Sequence, residues 1–300
     1  MLGAFFNSLI SIGKILIKSR KTNLRSFHTH NKDIIIVGNG PSAKTDLLNC
    51  LSSNPELHNS TDIMCVNLFA SQELFYQVKP NQYLFLDSAF FDFPLTVLDS
   101  PETLSILAVK PQFLQTQVLI NQTWKNIFDA NWGITVHVPQ LFKSSAILKF
   151  AKEKGINVVF YNYTVVKGFE SFENLIYKLG LGSPQSQNVV NTCIFHCINL
   201  KYRNIYLIGV ENNFFLNFYL DENNQLHIKD NHFYEVKNKL TPQFHADGSS
   251  VTMADQMSNL YKVFTSHQRL QKYAKHCNSN VYNATKNSFI DAYQRKSIPL

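Results

Sequence analysis

Short apolar runs alternate with amphipathic runs along most of the chain, which is the pattern of a parallel sheet flanked by helices. The short runs are rich in Val, Ile and Tyr, as expected of strands that are buried on both faces. We therefore expect an α/β fold with a doubly wound, mostly parallel sheet. The predicted strands are 34–37, 62–67, 83–87, 103–109, 135–138, 157–161, 204–208 and 280–283, and the predicted helices are 42–51, 144–154, 187–200 and 253–277.

Residues 1–25 form an amphipathic segment that differs from the rest of the chain. Its apolar side consists of Leu2, Phe5, Phe6, Leu9, Ile10, Ile12, Leu16 and Ile17. Because Lys14 interrupts the apolar run, the segment is too short to span a bilayer. Its later basic residues follow the apolar part instead of preceding it, unlike in a signal peptide. A helix lying in a membrane interface fits this pattern, and a helix packed on the protein itself is the alternative.

Composition narrows the classes of partner. The net charge is +7, but only 16% of residues are charged and no dense basic block occurs, so we expect no nucleic-acid partner. The five cysteines form no Cys-x-x-Cys pair, which favours reduced thiols in the cytoplasm. Cys193, His196 and Cys197 lie in an apolar helical run and are expected to be core residues instead of metal ligands.

The run from Ile34 to Ser42 carries the clearest chemical signal. An apolar strand leads directly into Gly38-Asn39-Gly40-Pro41-Ser42, where a helix begins. Glycines allow a sharp turn and a close approach to a ligand, and proline suits the first turn of a helix. Free N–H groups at a helix start bind anions, so this turn predicts a nucleotide or nucleotide-sugar site. An ordinary strand-to-helix turn is the alternative, since the sequence is neither a Walker loop nor Gly-x-Gly-x-x-Gly.

Further polar residues stand where other predicted strands end. These residues are Asn67, Asp87, Ser88 and, after Gly209, Glu211. Any one of them could be a turn or cap residue. In a doubly wound sheet, however, the ligand crevice lies outside the carboxyl ends of the strands. Several polar residues at these ends therefore predict one nucleotide pocket.

Three motifs resemble those of bacterial lipooligosaccharide sialyltransferases. They are Gly38–Ser42 after an Ile-rich strand, the strand and turn Lys201–Glu211, and the closing strand and turn Val281–Ser288. The chain is also similar to uncharacterised enzymes of capsule and O-antigen clusters, through its His-Phe-Tyr segment and its later Asn-Ala-Thr run. The resemblance covers about Asp33 to Arg295.

This resemblance implies a GT-A-like fold, a CMP-sugar donor and no required metal or other cofactor. It places Asn39 and Ser42 on the donor phosphate and ribose, and Glu211 on the ribose. It places Asn67 and Asp87 on the cytidine. Asp87 stands where the family usually has Asn, and Glu211 where it has Asp. At the family's Ser-Gly helix start this chain has two valines, with Asn191 nearby as a further nucleotide contact.

Transfer of a sialic acid requires a general base for the acceptor hydroxyl, and histidine suits this role because its pKa lies near working pH. His232 is slightly favoured over His245 as the base, because His232-Phe233-Tyr234 resembles the family's His-Tyr pair. Tyr234 would then contact the departing phosphate. A loop histidine without chemistry is the alternative for each.

We therefore expect a glycosyltransferase of bacterial surface polysaccharide synthesis that transfers sialic acid or a related acidic sugar from CMP with inversion. Its acceptor would be a glycan or glycolipid, and it would act in the cytoplasm on the inner face of the membrane. A homo-oligomer is compatible with the sequence. After a linker at 26–33, one catalytic domain would span 34–300, with an aromatic lid at about 212–250.

Two other functions are compatible with the sequence. A diphosphokinase-like phosphotransferase would need ATP and Mg²⁺, and Asp87 and Glu211 are the only candidate carboxylates for it. A non-catalytic, membrane-bound component of a polysaccharide assembly complex would bind no nucleotide at all. Binding of CMP, UDP, GDP or ATP distinguishes these possibilities.

Overall fold

The computed structural model of the chain describes residues 1–22, 24, 32–92, 111–229, 240–245 and 247–299. Its parallel strands are flanked by helices, which confirms the predicted α/β class. These strands are β1 (Asp33–Val37), β2 (Thr61–Val66), β3 (Gln82–Leu84), β4 (Thr135–Pro139), β5 (Asn157–Tyr161), β6 (Asn204–Ile208), β10 (Asn280–Asn283) and β11 (Gln294–Arg295). The predicted strand 103–109 lies outside the described residues.

The helices include all four that the sequence pattern predicts. They are α1 (Leu2–Lys18), α2 (Ala43–Ser53), α3 (Leu57–Ser60), α4 (Leu74–Val78), α5 (Ala89–Asp92), α6 (Pro111–Phe128), α7 (Ala146–Glu153), α8 (Glu170–Lys178), α9 (Val189–Asn199) and α10 (Met253–His276). The periodicity does not predict α6, because the polar residues Gln117, Thr123 and Asn126 are among its buried positions. No helix in the described part of the chain is long and apolar enough to cross a bilayer.

The chain divides into two compact units. The first contains Met1–His28 and Asp62–Ser183, and the second contains Thr29–Thr61 and Pro184–Leu300. In the first unit, β2, β3, β4 and β5 pair in sequential order, all parallel. In the second unit, the order is β11-β10-β6-β1, also parallel. The expected single catalytic domain over 34–300 stays a prediction.

The first unit is built around aromatic side chains. Phe85 follows β3 and stacks on Trp124 of α6, with ring centroids 4.7 Å apart. The Asn126 amide of α6 donates to the Ala70 carbonyl at 2.6 Å, in the single 3-10 turn that follows β2. Helix α6 is therefore held both by ring stacking and by a buried polar contact, which explains its polar buried positions.

In the second unit, the first strand pairs with a strand from a distant part of the sequence. Strand β6 pairs with β1 from Asp33↔Asn204 to Val37↔Ile208, although four strands intervene between them in the sequence. Ile34, Ile35, Ile36 and Val37 are fully buried, as predicted for a strand covered on both faces. In doubly wound sheets, ligands bind outside the carboxyl ends of the strands, so the ends of β1 and β6 locate a candidate site.

Two long helices of this unit begin at the same edge of its sheet. Helix α9 leads into β6 and α10 leads into β10, so each helix crosses back to the start of the next parallel strand. Their N-termini therefore lie toward the edge where β1, β6 and β10 end. Helix α10 has 24 residues, about 36 Å, which is much longer than the four-residue strand β10.

The predicted insertion is more regular than a single hairpin. A 3-10 turn at Phe214–Asn217 is followed by the antiparallel strands β7 (Phe218–Leu220), β8 (Leu226–Lys229) and β9 (Leu240–Pro242), which form a small sheet. The chain also continues after β10, the strand expected to close the sheet, because β11 pairs beside it.

Candidate functional site

The glycine turn after β1 is tied to the end of β6 by its own backbone. The Gly38 N–H donates to the Ile208 carbonyl and the Gly40 N–H donates to the Gly209 carbonyl, each at 2.9 Å. The glycine motif predicts free N–H groups in this turn. That expectation is wrong for these two groups, because they have carbonyl partners in the strand and loop beside them.

A carboxylate of the chain itself occupies the start of α2. The Ser42 N–H donates to Glu211 Oε1 at 2.7 Å, and Glu211 is only 6% exposed. A negative charge at a helix N-terminus is stabilised by the unsatisfied N–H groups and by the helix dipole. Glu211 thus takes the Ser42 N–H, one of the groups that the glycine motif predicts for a ligand phosphate.

Two glycines, Gly40 in the turn after β1 and Gly209 in the loop after β6, leave room for this carboxylate and for the start of α2. A Cβ on Gly40 would lie 1.7 Å from Glu211 Oε2 and 2.7 Å from the Gly209 carbonyl oxygen. Gly209 has a φ of +62°, and a Cβ there would lie 2.4 Å from that of Ala43. Both glycines are therefore required for the packing of the β1 turn, the loop after β6 and the start of α2.

Two buried polar groups at this edge have unused hydrogen-bonding capacity. Glu211 Oε2 is buried and has no hydrogen-bond partner among the described residues. Asn191 is fully buried in the first turn of α9, and neither its Oδ1 nor its Nδ2 has a partner within that same part of the chain. Buried polar atoms are nearly always paired in folded proteins. One carboxylate oxygen and one side-chain amide at this edge therefore lack hydrogen-bond partners within the described residues.

The closing motif holds the loop that carries Glu211. Thr285 Oγ1 accepts from the Val210 N–H at 3.1 Å, and Ser288 Oγ donates to the Val210 carbonyl at 2.7 Å. The Phe289 N–H donates to the Glu211 carbonyl at 2.8 Å. The residues of the predicted Asn-Ala-Thr motif thus have a positional role in this site, which the sequence signal did not reveal.

A buried histidine supports the next residue of the same loop. His267 of α10 lies 3.2 Å from the Asn212 amide nitrogen through Nε2 and 3.1 Å from the Tyr293 hydroxyl through Nδ1. Burial lowers the pKa of His267 to about 3, so its ring is neutral at pH 7. A neutral ring can accept the Asn212 N–H and donate to Tyr293, which fixes the loop from the side of α10.

The predicted residues of the first unit have local partners. Tyr83 donates its hydroxyl to the Asn67 carbonyl at 2.5 Å, and Asn67 Oδ1 lies 3.5 Å from the Leu86 N–H. Asp87 Oδ1 accepts from the Ala89 N–H at 3.0 Å. The Ser88 carbonyl accepts from the backbone N–H three residues later, at the start of α5. These are turn and cap contacts, and the cytidine contacts assigned to Asn67 and Asp87 stay predictions.

His245 is the one proposed base that the structure describes. Its Nε2 lies 3.4 Å from Asp255 Oδ2, and both side chains are partly exposed. Asp255 also accepts from Thr252 in the capping box of α10, and these hydrogen bonds lower its pKa. His245 is thus held beside a carboxylate at the start of α10. His232 and Tyr234 lie outside the described residues.

The cysteine-histidine cluster of α9 is part of the core, as predicted. Cys193, His196 and Cys197 are buried, and burial lowers the pKa of His196 to about 3. Over the described ranges, no group of three or more His, Cys, Asp and Glu side chains is arranged to hold a metal ion. Whether the protein requires a metal stays a prediction.

Comparisons with known proteins leave the family resemblance as a prediction. The chain matched no protein-family model, no curated protein and no solved structure. The sialyltransferase-like assignment therefore rests on the motifs around Gly38, Gly209 and Asn283.

We expect Gly40→Ala to destabilise the protein, because the new Cβ would overlap the Glu211 carboxylate and a backbone carbonyl. Overpacking of this kind costs about 1–3 kcal/mol. Gly133→Ala is the matched control, since nothing lies within 4 Å of a Cβ at that position. Urea unfolding should show a lower free energy for Gly40→Ala alone. Equal values for both variants would show that the Gly40 packing is misassigned.

We also expect stability to fall in mild acid. The pKa of His267 is about 3 in the folded chain and 6.5 in the reference state, so below pH 6.5 the unfolded chain takes up a proton that the native chain does not. The free energy of unfolding is thus maintained above pH 6.5 and decreases toward pH 3, by about 1.4 kcal/mol per pH unit for each such histidine.

Urea unfolding at about pH 7.5 and about pH 5.5 measures this slope. His267→Gln should have a smaller pH dependence than the wild-type protein, whereas His276→Gln, which changes an exposed histidine of the same helix, should keep the wild-type slope. If His267→Gln kept the full slope, His267 would not be a neutral histidine of the folded chain.

Proposed function

We propose that the protein is a glycosyltransferase of bacterial surface polysaccharide synthesis. It transfers sialic acid or a related acidic sugar from a CMP-activated donor, with inversion. The observation that carries this proposal is the buried Glu211 carboxylate at the carboxyl ends of β1 and β6, where Oε1 is bound by Ser42 and Oε2 has no partner in the described chain. The choice of a CMP-sugar as the donor rests on the three sequence motifs that resemble those of sialyltransferases.

The free Glu211 oxygen suits a ribose hydroxyl of the nucleotide. A carboxylate oxygen only accepts hydrogen bonds, and a sugar hydroxyl is a donor of the right size for a narrow buried position. Charge-assisted hydrogen bonds of this kind are stronger than neutral ones. The donor ribose would therefore lie against the end of β6, with the Gly40 backbone close to it because no side chain intervenes.

The anionic part of the donor is assigned to the start of α9 instead of the start of α2. Glu211 already occupies the α2 end, and a second negative charge beside it would be repelled. Helix α9 has 11 residues, begins after Asn188 and carries the unpaired amide of Asn191 in its first turn. The Asn188 side chain caps the Asn191 N–H at 2.8 Å, so the other N–H groups of the first turn are the ones proposed to bind a phosphate or carboxylate oxygen.

His245 is the general base in this proposal, and Asp255 orients its ring. A histidine held by a carboxylate is a frequent arrangement for removing a hydroxyl proton. The segment at about 212–250 would act as the lid over the acceptor, within a GT-A-like architecture. No metal or other cofactor is needed for this chemistry.

The proposed location is peripheral, on the inner face of the bacterial cytoplasmic membrane. Glycolipid acceptors of surface polysaccharides are anchored in that membrane, and a nucleotide-activated donor is a cytoplasmic metabolite. An enzyme at the membrane surface has access to both substrates.

We expect CMP to bind more tightly than UDP, GDP or ATP in a thermal-shift panel followed by titration calorimetry. Glu211→Gln should weaken CMP binding by about tenfold to a hundredfold, since it removes a charged acceptor worth about 1.5–3 kcal/mol. Asp46→Asn is the matched control because it removes a negative charge from the first turn of the same helix, α2.

Binding of none of the four nucleotides would show that the proposed function is wrong. An equal loss of CMP affinity in both variants would assign the effect to the charge at the helix end and not to Glu211 Oε2.

We expect His245→Gln to lower the release of CMP from CMP-sialic acid by about 10²–10⁴-fold, the usual contribution of a general base, without changing CMP affinity. His227→Gln provides the comparison, since His227 Nε2 lies 3.0 Å from Asp221 in a similar His–Asp pair near the start of the small sheet. Retention of full activity in His245→Gln, or its loss only in His227→Gln, would overturn the assignment of the base.

A further inference from the structure

Helix α1 is attached to the first unit by the side that carries its serines. Ala4, Ser8, Ser11, Ile15 and Ser19 follow one another at intervals of three or four and line a single side of the helix. The three serines are buried, and the other two residues are partly buried. An amphipathic helix on a soluble protein usually buries its apolar side instead.

Hydrogen bonds to the segment after β5 fix this orientation. Ser11 Oγ donates to the Lys167 carbonyl at 2.7 Å, and the Lys167 N–H donates back to Ser11 Oγ at 2.9 Å. The Phe169 N–H donates to Ser8 Oγ at 3.2 Å. The helix is therefore held by directional contacts, and the side that faces the unit is specified.

The end of the helix is fixed in the same way. Ser19 Oγ donates to Thr164 Oγ1 at 2.9 Å. The Asn162 side chain binds both backbone groups of Arg20. Its Oδ1 accepts from the Arg20 N–H at 3.0 Å, and its Nδ2 donates to the Arg20 carbonyl at 2.7 Å. Rotation of α1 to bury its apolar side would break these contacts as well as those of Ser8 and Ser11.

The opposite side of α1 is an exposed apolar face. Eight large apolar residues of this helix are between 42% and 76% exposed. They are Leu2, Phe5, Phe6, Leu9, Ile10, Ile12, Leu16 and Ile17. Contiguous apolar surface of this kind marks a site of interaction with a membrane or a protein.

The charges around this face favour an anionic lipid surface. Residues 1–32 contain no Asp or Glu, and exposed basic side chains are present at Lys14, Lys18, Arg20 and Lys21. Anionic lipids attract such basic residues next to an interfacial helix. A second copy of α1 would offer these cations no counter-charge, because the helix has no acidic residue.

We infer that the exposed apolar face of α1 docks this protein on a bilayer rich in anionic phospholipids. The helix lies flat in the interface, its apolar face contacts the acyl chains, and its serine side holds the first unit above the membrane. This inference deepens the proposed membrane location and does not depend on nucleotide binding.

Flotation with lipid vesicles, without nucleotide, tests this inference. The full chain should bind vesicles of equal parts phosphatidylcholine and phosphatidylglycerol, and should bind phosphatidylcholine vesicles more weakly. The double variant Phe6→Gln/Ile10→Gln should lose at least about tenfold in vesicle affinity, since two apolar side chains no longer enter the bilayer. Both positions are exposed, so the fold should be retained, which circular dichroism checks.

The double variant Leu175→Gln/Leu179→Gln is the matched control. It changes two exposed leucines, also four residues apart, at the end of α8 in the same unit, and it should bind vesicles like the wild-type protein. The inference fails if the wild-type chain does not float, or if the Phe6/Ile10 variant floats equally well. It also fails if α1 instead mediates a dimer that this variant dissociates, as sedimentation would show.

Titration of the same proteins with CMP separates this inference from the proposed function. Vesicle binding without CMP binding would leave the docking surface in place and overturn the nucleotide proposal. CMP binding without vesicle binding would support the nucleotide proposal and overturn the docking surface.

Discussion

The hydrogen bond from the Ser42 N–H to the Glu211 carboxylate is the contact on which the second unit's candidate site depends. It joins the turn after β1, the start of α2 and the loop after β6. The contact requires glycine at position 40, where the carboxylate occupies the space of a Cβ. The segment after β10 then holds the Glu211 loop through Thr285 and Ser288. The motifs after β1, β6 and β10 therefore all contribute to the position of the Glu211 carboxylate.

This arrangement changes the chemistry expected at the glycine turn. A strand, a glycine turn and a helix start usually present N–H groups to a phosphate. Here Glu211 takes the Ser42 N–H, so the glycine turn presents a hydrogen-bond acceptor at this point. A buried acceptor without a partner costs about 1–3 kcal/mol, and natural proteins keep such groups chiefly where a ligand or water completes them. This cost is the physical reason for placing a ribose hydroxyl there and the donor's anionic group at the start of α9.

Local pattern predicts the framework of this protein well. The bounds of the predicted strands 157–161 and 204–208 agree with those of β5 and β6, because apolar runs between turn residues leave little freedom in their ends. Polar residues at the ends of β1 and β6 are also correctly predicted to lie at one edge. The α/β class follows from the alternation of strands and helices alone.

What the sequence cannot show is pairing across long separations and the choice of the buried side. Ser42 and Glu211 are 169 residues apart, and no local sequence signal indicates that the Glu211 carboxylate binds the Ser42 N–H at the start of α2. The periodicity of α1 predicts a helix with an apolar side, but the serine contacts that turn this side outward depend on residues 162–169. In α6, buried Asn126 has a backbone partner in a distant turn, which hides the helical period.

The most direct test of the ribose contact is a thermodynamic cycle between Glu211 and the hydroxyls of the nucleotide. Calorimetry would compare CMP with its 2′-deoxy and 3′-deoxy forms in the wild-type protein and in Glu211→Gln. If Oε2 binds a ribose hydroxyl, removal of that hydroxyl should weaken binding by about tenfold or more in the wild-type protein and by much less in the variant. Equal effects of each deoxy substitution in both proteins would contradict the central claim, because Glu211 would then make no contact with the ribose.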